Sequence, residues 1–404
     1  MNERNGYWIR VTFYKRLFCR VALCGVIAAV LAGCATKPPP KAITQVGSDV
    51  FFGGTYLVAG SMNDVKPRFP ALSGEMSSPA WTELSDTVSG VFKNRSNEFT
   101  QIKLRGFDGV RAPDDAIVIG CGFTGEKHLI TSFSSKDGDR RIVTAYLSGG
   151  LFLQNFERSS DGASEVKLLR CYPFSLSCSS EVPKGSSHVD VGGQLLLGAE
   201  RGLRSGEFSS IISQIASNVA PVTGVGATMQ IGGILWNKTC DQLVSEKFDG
   251  NEKDFRQWLA VELGSELARR IGIPMIPYVE DTSTRRMAQV MSNEKAYDIK
   301  LPDPAFVMDV ELTGFSEALA KKTATESMWV FGAYAKVAVR EFATRSVRWE
   351  KNVKVGVARS ISANQTGIDH TLYQFNALLD LQRKIADDMR NDKAARLIID
   401  ACLK

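Results

Sequence analysis

The chain has 404 residues, 44% of them apolar, with 49 basic against 44 acidic side chains and a formal net charge of +5. Five of the basic residues (Arg4, Arg10, Lys15, Arg16, Arg20) and one acid, Glu3, fall in the first thirty-three residues, so the remainder sits near +1 and lacks the basic surface that nucleic-acid binding needs. The roughly 370 residues beyond that segment suit two globular domains with ordinary cores, or at most three.

The basic stretch ending at Arg20 is followed by an apolar run from Val21 to Leu31, the layout of an export signal. The run is about eleven residues long, short of the roughly 20 that cross a bilayer as a helix. It stops at Leu31-Ala32-Gly33-Cys34, which resembles the lipobox of bacterial lipoproteins. That resemblance implies removal of residues 1–33 and acylation of Cys34, several acyl chains anchoring far more firmly than one. Alanine rather than aspartate at residue 35 implies the outer membrane in the enterobacterial sorting pattern, with the soluble part facing the periplasm. Residues 34–48 then form the lipid anchor and a tether stiffened by Lys37-Pro38-Pro39-Pro40-Lys41.

Five cysteines remain beyond Cys34: Cys121, Cys171, Cys178, Cys240 and Cys402. An oxidising periplasm permits disulfides, and Cys171 with Cys178 either closes a small loop or forms two buried thiols; Cys240 with Cys402 is a second pairing. No C-x-x-C occurs, and with only His128, His188 and His370 available no zinc site is expected.

The residues from 49 onward read as two copies of one pattern, 49–222 and 223–404. In the first, Phe51–Ala59 has strand character, and Trp81, Leu84, Val88 and Val91 share one helical face. Strands are expected at Ala116–Phe123, His128–Phe133, Arg141–Phe156 and Glu165–Phe174, with turns at Asp137-Gly138 and Asp161-Gly162. A helix carrying Phe208, Ile211, Ile212, Ile215 and Val219 closes the half at Pro221. The second half opens with a strand at Thr228–Trp236. A helix follows with Phe255, Leu259, Leu263, Leu267 and Ile271 at four-residue spacing, ending at Gly272. Ile273–Val279 carries Pro274 and Pro277 and reads as an edge strand, and Thr282 and Ser283 can cap a second helix. Phe306, Met308, Val310 and Leu312 alternate with Val307, Asp309, Glu311 and Thr313, the signature of a strand buried on one face. Trp329, Phe331, Ala333, Ala335, Val337 and Val339 mark the next strand, and Val347 and Trp349 open the last. A final helix bears Leu372, Phe375, Leu379, Ile385 and Met389 and runs on towards Cys402. The fold class is therefore α+β: two tandem domains, each a mixed or antiparallel sheet covered on one face by helices. Ala145-Tyr146 and Ala333-Tyr334 fall at comparable places in the two halves.

Few motifs carry chemistry. Gly120-Cys121-Gly122-Phe123-Thr124-Gly125 matches a dinucleotide fingerprint in letters, but a hairpin rather than a helix follows it, so the glycines are expected at a bulge or a close sheet contact. Ser187, His188 and Asp190 are adjacent in sequence, whereas a triad converges from separate elements, so a polar loop is expected. Gly224, Gly226, Gly232 and Gly233 lack a following Lys-Ser or Lys-Thr and are expected to join the halves. Asp309 and Glu311 on one strand face, with Lys336 and Arg340 beside them, could do acid–base work but fit a solvated charged face. Trp81, Trp236, Trp258, Trp329 and Trp349 all fall on the apolar phase of their elements.

The stretch Thr228–Val357, with Ala268-Arg269-Arg270-Ile271-Gly272-Ile273 ending a helix and Leu301-Pro302-Asp303-Pro304 leading into a strand, resembles the curli secretion lipoprotein group and the amino-terminal domain of TolB. The resemblance implies an envelope assembly or export accessory without catalysis or cofactor, held on the membrane through Cys34 and binding other envelope proteins or itself. A binding module for a small or apolar ligand at the junction near Gly224–Gly233 is the alternative, and an enzyme built on Asp309, Glu311 or His188 comes third.

Overall fold

The computed structural model describes residues 50–59, 68–72, 79–95, 104–106, 117–135, 138–158, 164–183, 190–218, 227–278, 287–292, 295–362 and 369–403, all within one compact unit, Gln45–Lys404. Leu31–Cys34, the Lys37–Lys41 tether, Asp137, Asp161-Gly162, Ser187, His188, Val219, Gly224, Gly226, Val279, Thr282 and Ser283 lie outside the described residues.

Two sheets and the helices between them make an α+β fold. The first sheet is built from β1 (Val50–Ala59), β2 (Leu104–Gly106), β3 (Ile117–Ser135), β4 (Gly138–Arg158) and β5 (Ser164–Pro183), and from a hairpin of the second half, β7 (Met287–Ser292) and β8 (Lys295–Lys300). Their order is β2-β1-β3-β4-β5-β8-β7, and β7 pairs back onto β1 through Leu57↔Met291 and Val58↔Val290. Six strands thus close on themselves, which removes the open edges that a sheet of long strands would otherwise expose. Tyr56, Phe152, Leu168, Ala288 and Ile299 from these strands cluster with Ile276 and Leu301 as their core. On the other face, α1 (Pro79–Asn94) sets Trp81 edge-on to Phe123 at 6.0 Å, and Phe208 of α3 (Gly206–Asn218) meets Phe174 at 5.4 Å. The two strands expected at Ala116–Phe123 and His128–Phe133 are one, β3, with the glycine-rich stretch in its middle. Val191–Leu203, not anticipated as an element, is helix α2, capped by the Asp190 carboxylate accepting from the Gly193 amide at 2.8 Å.

The second sheet runs β11-β10-β9-β6, from β6 (Met229–Trp236), β9 (Phe306–Lys322), β10 (Glu326–Glu341) and β11 (Val347–Ser362). Helices α4 (Asp241–Phe248), α5 (Glu252–Ile271), α6 (His370–Asn391) and α7 (Lys393–Leu403) complete this half. Phe331 of β10 stacks on Tyr373 of α6 at 4.9 Å, and Trp258 of α5 meets Phe375 of α6 at 4.7 Å. The final helix does not run through to Cys402: Asp392 is extended (φ −92, ψ 129) and its carboxylate accepts from the Ala394 amide at 2.8 Å, starting α7 afresh.

The sheets share a strand order. A first strand pairs in parallel with the opening strand of an antiparallel meander, β1 with β3-β4-β5 and β6 with β9-β10-β11. The register of β1 on β3 shifts between Phe52 and Thr55, over Gly53-Gly54, and that of β6 on β9 between Ile231 and Ile234, over Gly232-Gly233. A β-carbon on Gly53 would lie 2.6 Å from Val118 Cγ1 and one on Gly232 2.3 Å from Val307 Cγ1, so the same crowding excludes a side chain at both places. At matching places a residue then bulges from each meander's first strand, Thr124 between Phe123 and Gly125, and Thr313 between Leu312 and Gly314; β9 bulges again at Ala320. The matching positions are these bulges. Tyr146 opposes Lys127 and packs on Trp258, whereas Tyr334 opposes Gly314 and bonds Ser316, so the two Ala-Tyr pairs do not correspond.

Two expectations for residues 273–300 give way. Ile273–Ile276 is buried between the sheets, not at an edge: the Met275 amide donates to Cys171 O of β5 at 2.7 Å, and Met229 N of β6 donates to Pro274 O at 3.1 Å. Proline is tolerated there because it is the carbonyl of Pro274 that is used. After it comes the β7–β8 hairpin where a helix was expected, its residues Ala288 and Ile299 buried in the first sheet's core.

At Gly122 a β-carbon would lie 2.6 Å from the Tyr56 ring and 2.7 Å from Phe152 and Val58. Gly122→Ala is therefore expected to destabilise the chain by about 1–3 kcal/mol in urea denaturation, the cost of overpacking a filled core.

Candidate functional site

The described residues hold a cleft of about 130 Å³ where the first sheet meets α5, lined by Arg68, Pro70, Thr124–His128, Ser148, Val191, Leu195, Asp254, Gln257, Trp258 and Val261. Each wall has a local cause. The β3 bulge displaces Thr124 from the ladder, leaving it between Phe123, paired with Gly149, and Gly125, paired with Ser148. The Glu126 carboxylate accepts from the amides of Ala71 (2.6 Å) and Leu72 (3.0 Å), which holds the short segment bearing Arg68 and Pro70 against the strand. Burial raises the Glu126 carboxyl above its usual range, and those two amides oppose the rise. Asn251 caps α5 by accepting from the Asp254 amide at 3.1 Å, which fixes the turn carrying Asp254, Gln257 and Trp258.

Several cleft groups are buried without a hydrogen-bond partner among the described residues: Thr124 Oγ1, both amide atoms of Gln257 and Trp258 Nε1. Lys127 lies over the Phe248 ring at 4.8 Å. His128 stands exposed at the rim, its pKa lowered by partial burial and by Lys127. A second void among the described residues, lined by Cys171, Ile231, Gly264, Met275 and Tyr278 among others, has a volume of about 20 Å³ and admits one water at most.

The residues singled out from sequence are not brought together. Asp309 accepts from Gly233 N at 3.0 Å and from Arg340 Nε at 2.9 Å, and Lys336 pairs with Glu350 at 3.3 Å, so these charges stand on the outer face of the second sheet in ion pairs of their own. His370 bonds Glu317 at 2.6 Å beside Trp329, far along the chain from His128. Asp190 is a helix cap. Trp81, Trp258 and Trp349 are buried, and Trp236 and Trp329 are partly so. The glycine stretch from Gly120 stays extended as far as Ser135, so no helix follows its last glycine as the dinucleotide fingerprint requires. Of the two alternatives for Cys171 and Cys178, the structure has the buried thiols and not the bridge. Both lie on β5 seven residues apart, which is roughly 23 Å of extended chain on opposite faces, and both are buried outside any disulfide, as are Cys121, Cys240 and Cys402. Among the described residues no cluster of three His, Cys, Asp or Glu is placed to hold a metal, and no helix is long and apolar enough to cross a membrane. Trp258 reads as core by its apolar phase, and nothing in the local sequence singles out Gln257, so neither is legible as a wall residue. Thr124 sat inside a flagged motif, and the flanking glycines were its signal.

Behind the cleft, Glu262 of α5 is buried and accepts from the Ser175 hydroxyl of β5. Burial pushes its pKa up to about 7; the Ser175 bond opposes this, nearby Glu266 adds to it and Arg383 opposes it. A folded pKa above the unfolded value means that the native state binds the proton more tightly. The associated stability is complete below about pH 4.5 and is lost as pH rises through about 7, a change on the order of 3 kcal/mol. Glu262→Gln keeps an acceptor for Ser175 without the charge. Chemical denaturation across this range should show the wild type losing about 3 kcal/mol relative to the variant, which becomes the more stable of the two at about pH 8.

No protein-family profile matches the chain, and no curated protein does. Among solved structures, rare lipoprotein B from Shewanella oneidensis is similar at 14% identity over 25% of this chain and 77% of its own, with a TM-score of 0.16. A protein described as a neuraminyllactose-binding hemagglutinin homolog from Helicobacter pylori is similar at 15% identity over 44% of this chain and 95% of its own, with a TM-score of 0.25. A lipopolysaccharide binding protein reaches 10% identity over 79% of this chain and 89% of its own, with a TM-score of 0.09. At these scores the likenesses carry no argument about mechanism or partners.

Proposed function

We propose that the chain is an envelope lipoprotein, anchored to the outer membrane through lipid on Cys34 with its folded part in the periplasm, and that it acts as a non-enzymatic tandem-repeat scaffold or accessory in secretion, transport or surface assembly. The observation that carries this reading is Leu31-Ala32-Gly33-Cys34 directly after an apolar run of export-signal length. Two features of the second sheet support a scaffold. Its outer face is occupied by paired charges rather than by converging acid and base. Its far end, residues 316–322 with Met328 and 358–360, is exposed, and Leu319 and Met328 are 46% and 40% accessible there. Exposed apolar side chains at the ends of two paired strands, β9 and β10, suit contact with another protein.

Metabolic labelling with palmitate and membrane fractionation test the anchor. Wild type should incorporate label and sediment with outer membranes, whereas Cys34→Ala should do neither; equal labelling of both forms would refute lipid on Cys34. In-cell cross-linking tests the scaffold: a defined set of envelope proteins should be captured by wild type and reduced by Leu319→Asp with Met328→Asp. Capture of nothing by the anchored wild type would refute the scaffold and leave the anchor standing.

A further inference from the structure

The two sheets treat their edges differently. The first closes on itself through β7 and β1, whereas β11 ends the second, and among the described residues no strand pairs with its outer side. An edge strand presents a row of amides and carbonyls to any extended chain, and folded proteins blunt such edges with short strands, prolines, bulges or charged side chains. The first three are missing from the outer half of β11. The strand is 16 residues long without proline, and its register on β10 runs unbroken from Trp349↔Val339 to Ser362↔Glu326. Trp349 and Val353, near its start, are buried in the core, while Lys354, Gly356, Ala358, Arg359 and Ser360 further along are exposed.

Charge is what guards this edge, and it has one dominant sign. Lys354 and Arg359 stand on β11 and Lys321 and Lys322 at the end of β9, and none of them forms an ion pair among the described residues. Of the carboxylates at this end, Glu317 is bonded to His370 and Glu326 lies at the hairpin tip. The base of the same sheet differs, because Asp309 with Arg340 and Glu350 with Lys336 neutralise one another there.

The basic residues discriminate between occupants. A second copy pairing antiparallel about the middle of this half, between Gly356 and Val357, would set Lys354 of each chain opposite Arg359 of the other, and like charges directly opposite are destabilising. A strand with acids at those two places gains what the copy loses. Lys354 opposes Tyr334 and Arg359 opposes Trp329, so they lie five residues apart on opposite faces of the sheet. The matching strand therefore carries its acids five residues apart, one to each face. Gly356, Ala358 and Ser360, on the Lys354 face, are small and leave room for the incoming side chains.

We propose that residues 354–362 of β11 take up an extended acidic segment of another envelope protein as a fifth strand of the second sheet, with the backbone ladder supplying affinity and Lys354 and Arg359 supplying selection. The proposal rests on the scaffold reading of this end of the sheet and names the chemistry of its partner.

The test titrates the purified full-length protein into a fluorescent nine-residue threonine–valine peptide with glutamates at its second and seventh positions, and into a counterpart with lysines there. By anisotropy the glutamate peptide should bind saturably and about tenfold more tightly than the lysine one, and Lys354→Glu with Arg359→Glu should reverse that order. Should the variant fail to fold, hydrogen exchange of the wild type locates the peptide: glutamate peptide should slow alternate amides of residues 354–362. Binding of neither peptide, equal binding of both, or slowed amides elsewhere would overturn the proposal, and a dimer protected at these same amides would overturn it in favour of a second copy. Peptide failure with in-cell capture of envelope proteins intact falls on this assignment alone, whereas lost capture with peptide binding intact falls on the scaffold reading.

Discussion

The chain's two sheets are held to each other by a four-residue stretch, Ile273–Ile276. Met275 exchanges backbone hydrogen bonds with Cys171 of β5, at 2.7 and 3.1 Å, while Pro274 and Ile276 bond Met229 of β6 at 3.1 and 2.8 Å. A buried loop is normally excluded because its amides and carbonyls have no partners, and this segment is admitted because both flanks supply them. Its position sets that of α5, which ends immediately before it at Gly272, and of the β7–β8 hairpin, which follows it and closes the first sheet. Helix α5 is buried against both sheets in consequence. Glu262 reaches Ser175 of the first, and Phe255 and Trp258 join the aromatic core of the second.

That arrangement accounts for the chemistry at the junction. A helix packed between two sheets has little solvent face left for its polar residues, so they are either paired across the interface or buried without a partner among the described residues. Glu266 and Arg270 take the first course, Arg270 bonding Asp387 of α6 at 2.8 Å. Gln257 takes the second, beside the bulged Thr124. Lys247 of α4 is buried and pairs with Asp369, which also caps α6 by accepting from the Leu372 amide at 3.2 Å, so one carboxylate neutralises a buried cation and starts a helix.

Elements whose periodicity is local were legible in the sequence. The alternation at Phe306–Thr313 appears as buried and exposed positions of β9, and the four-residue spacing from Phe255 to Ile271 appears as α5 with a left-handed cap at Gly272. Features decided by distant partners were not. Pro274 and Pro277 argue for an edge strand when only the missing amides are counted, yet the carbonyl of Pro274 has a partner about 45 residues earlier, at Met229. The β7–β8 hairpin owes its extended form to pairing with β1 and β5, remote in sequence. A disulfide between Cys171 and Cys178 looks close in sequence and is far in space, because β5 is extended through both. The signal that matched the two halves was present but unread: Gly53-Gly54 with Phe123-Thr124-Gly125, and Gly232-Gly233 with Leu312-Thr313-Gly314, mark the same two register shifts in each sheet. Of the cleft, Thr124 lay within a glycine motif considered for another chemistry, while Gln257 and Trp258 become wall residues only once β3 is placed against α5.

Native-state hydrogen exchange of the Cys171, Met229, Met275 and Ile276 amides tests most directly whether the bridging stretch holds the sheets together. If it does, the four amides exchange only through global unfolding, with one free energy and one denaturant dependence shared by the protected amides of both sheets. Exchange of Met275 and Ile276 by local opening while Cys171 and Met229 stay protected, or separate unfolding of the two sheets, would contradict the account.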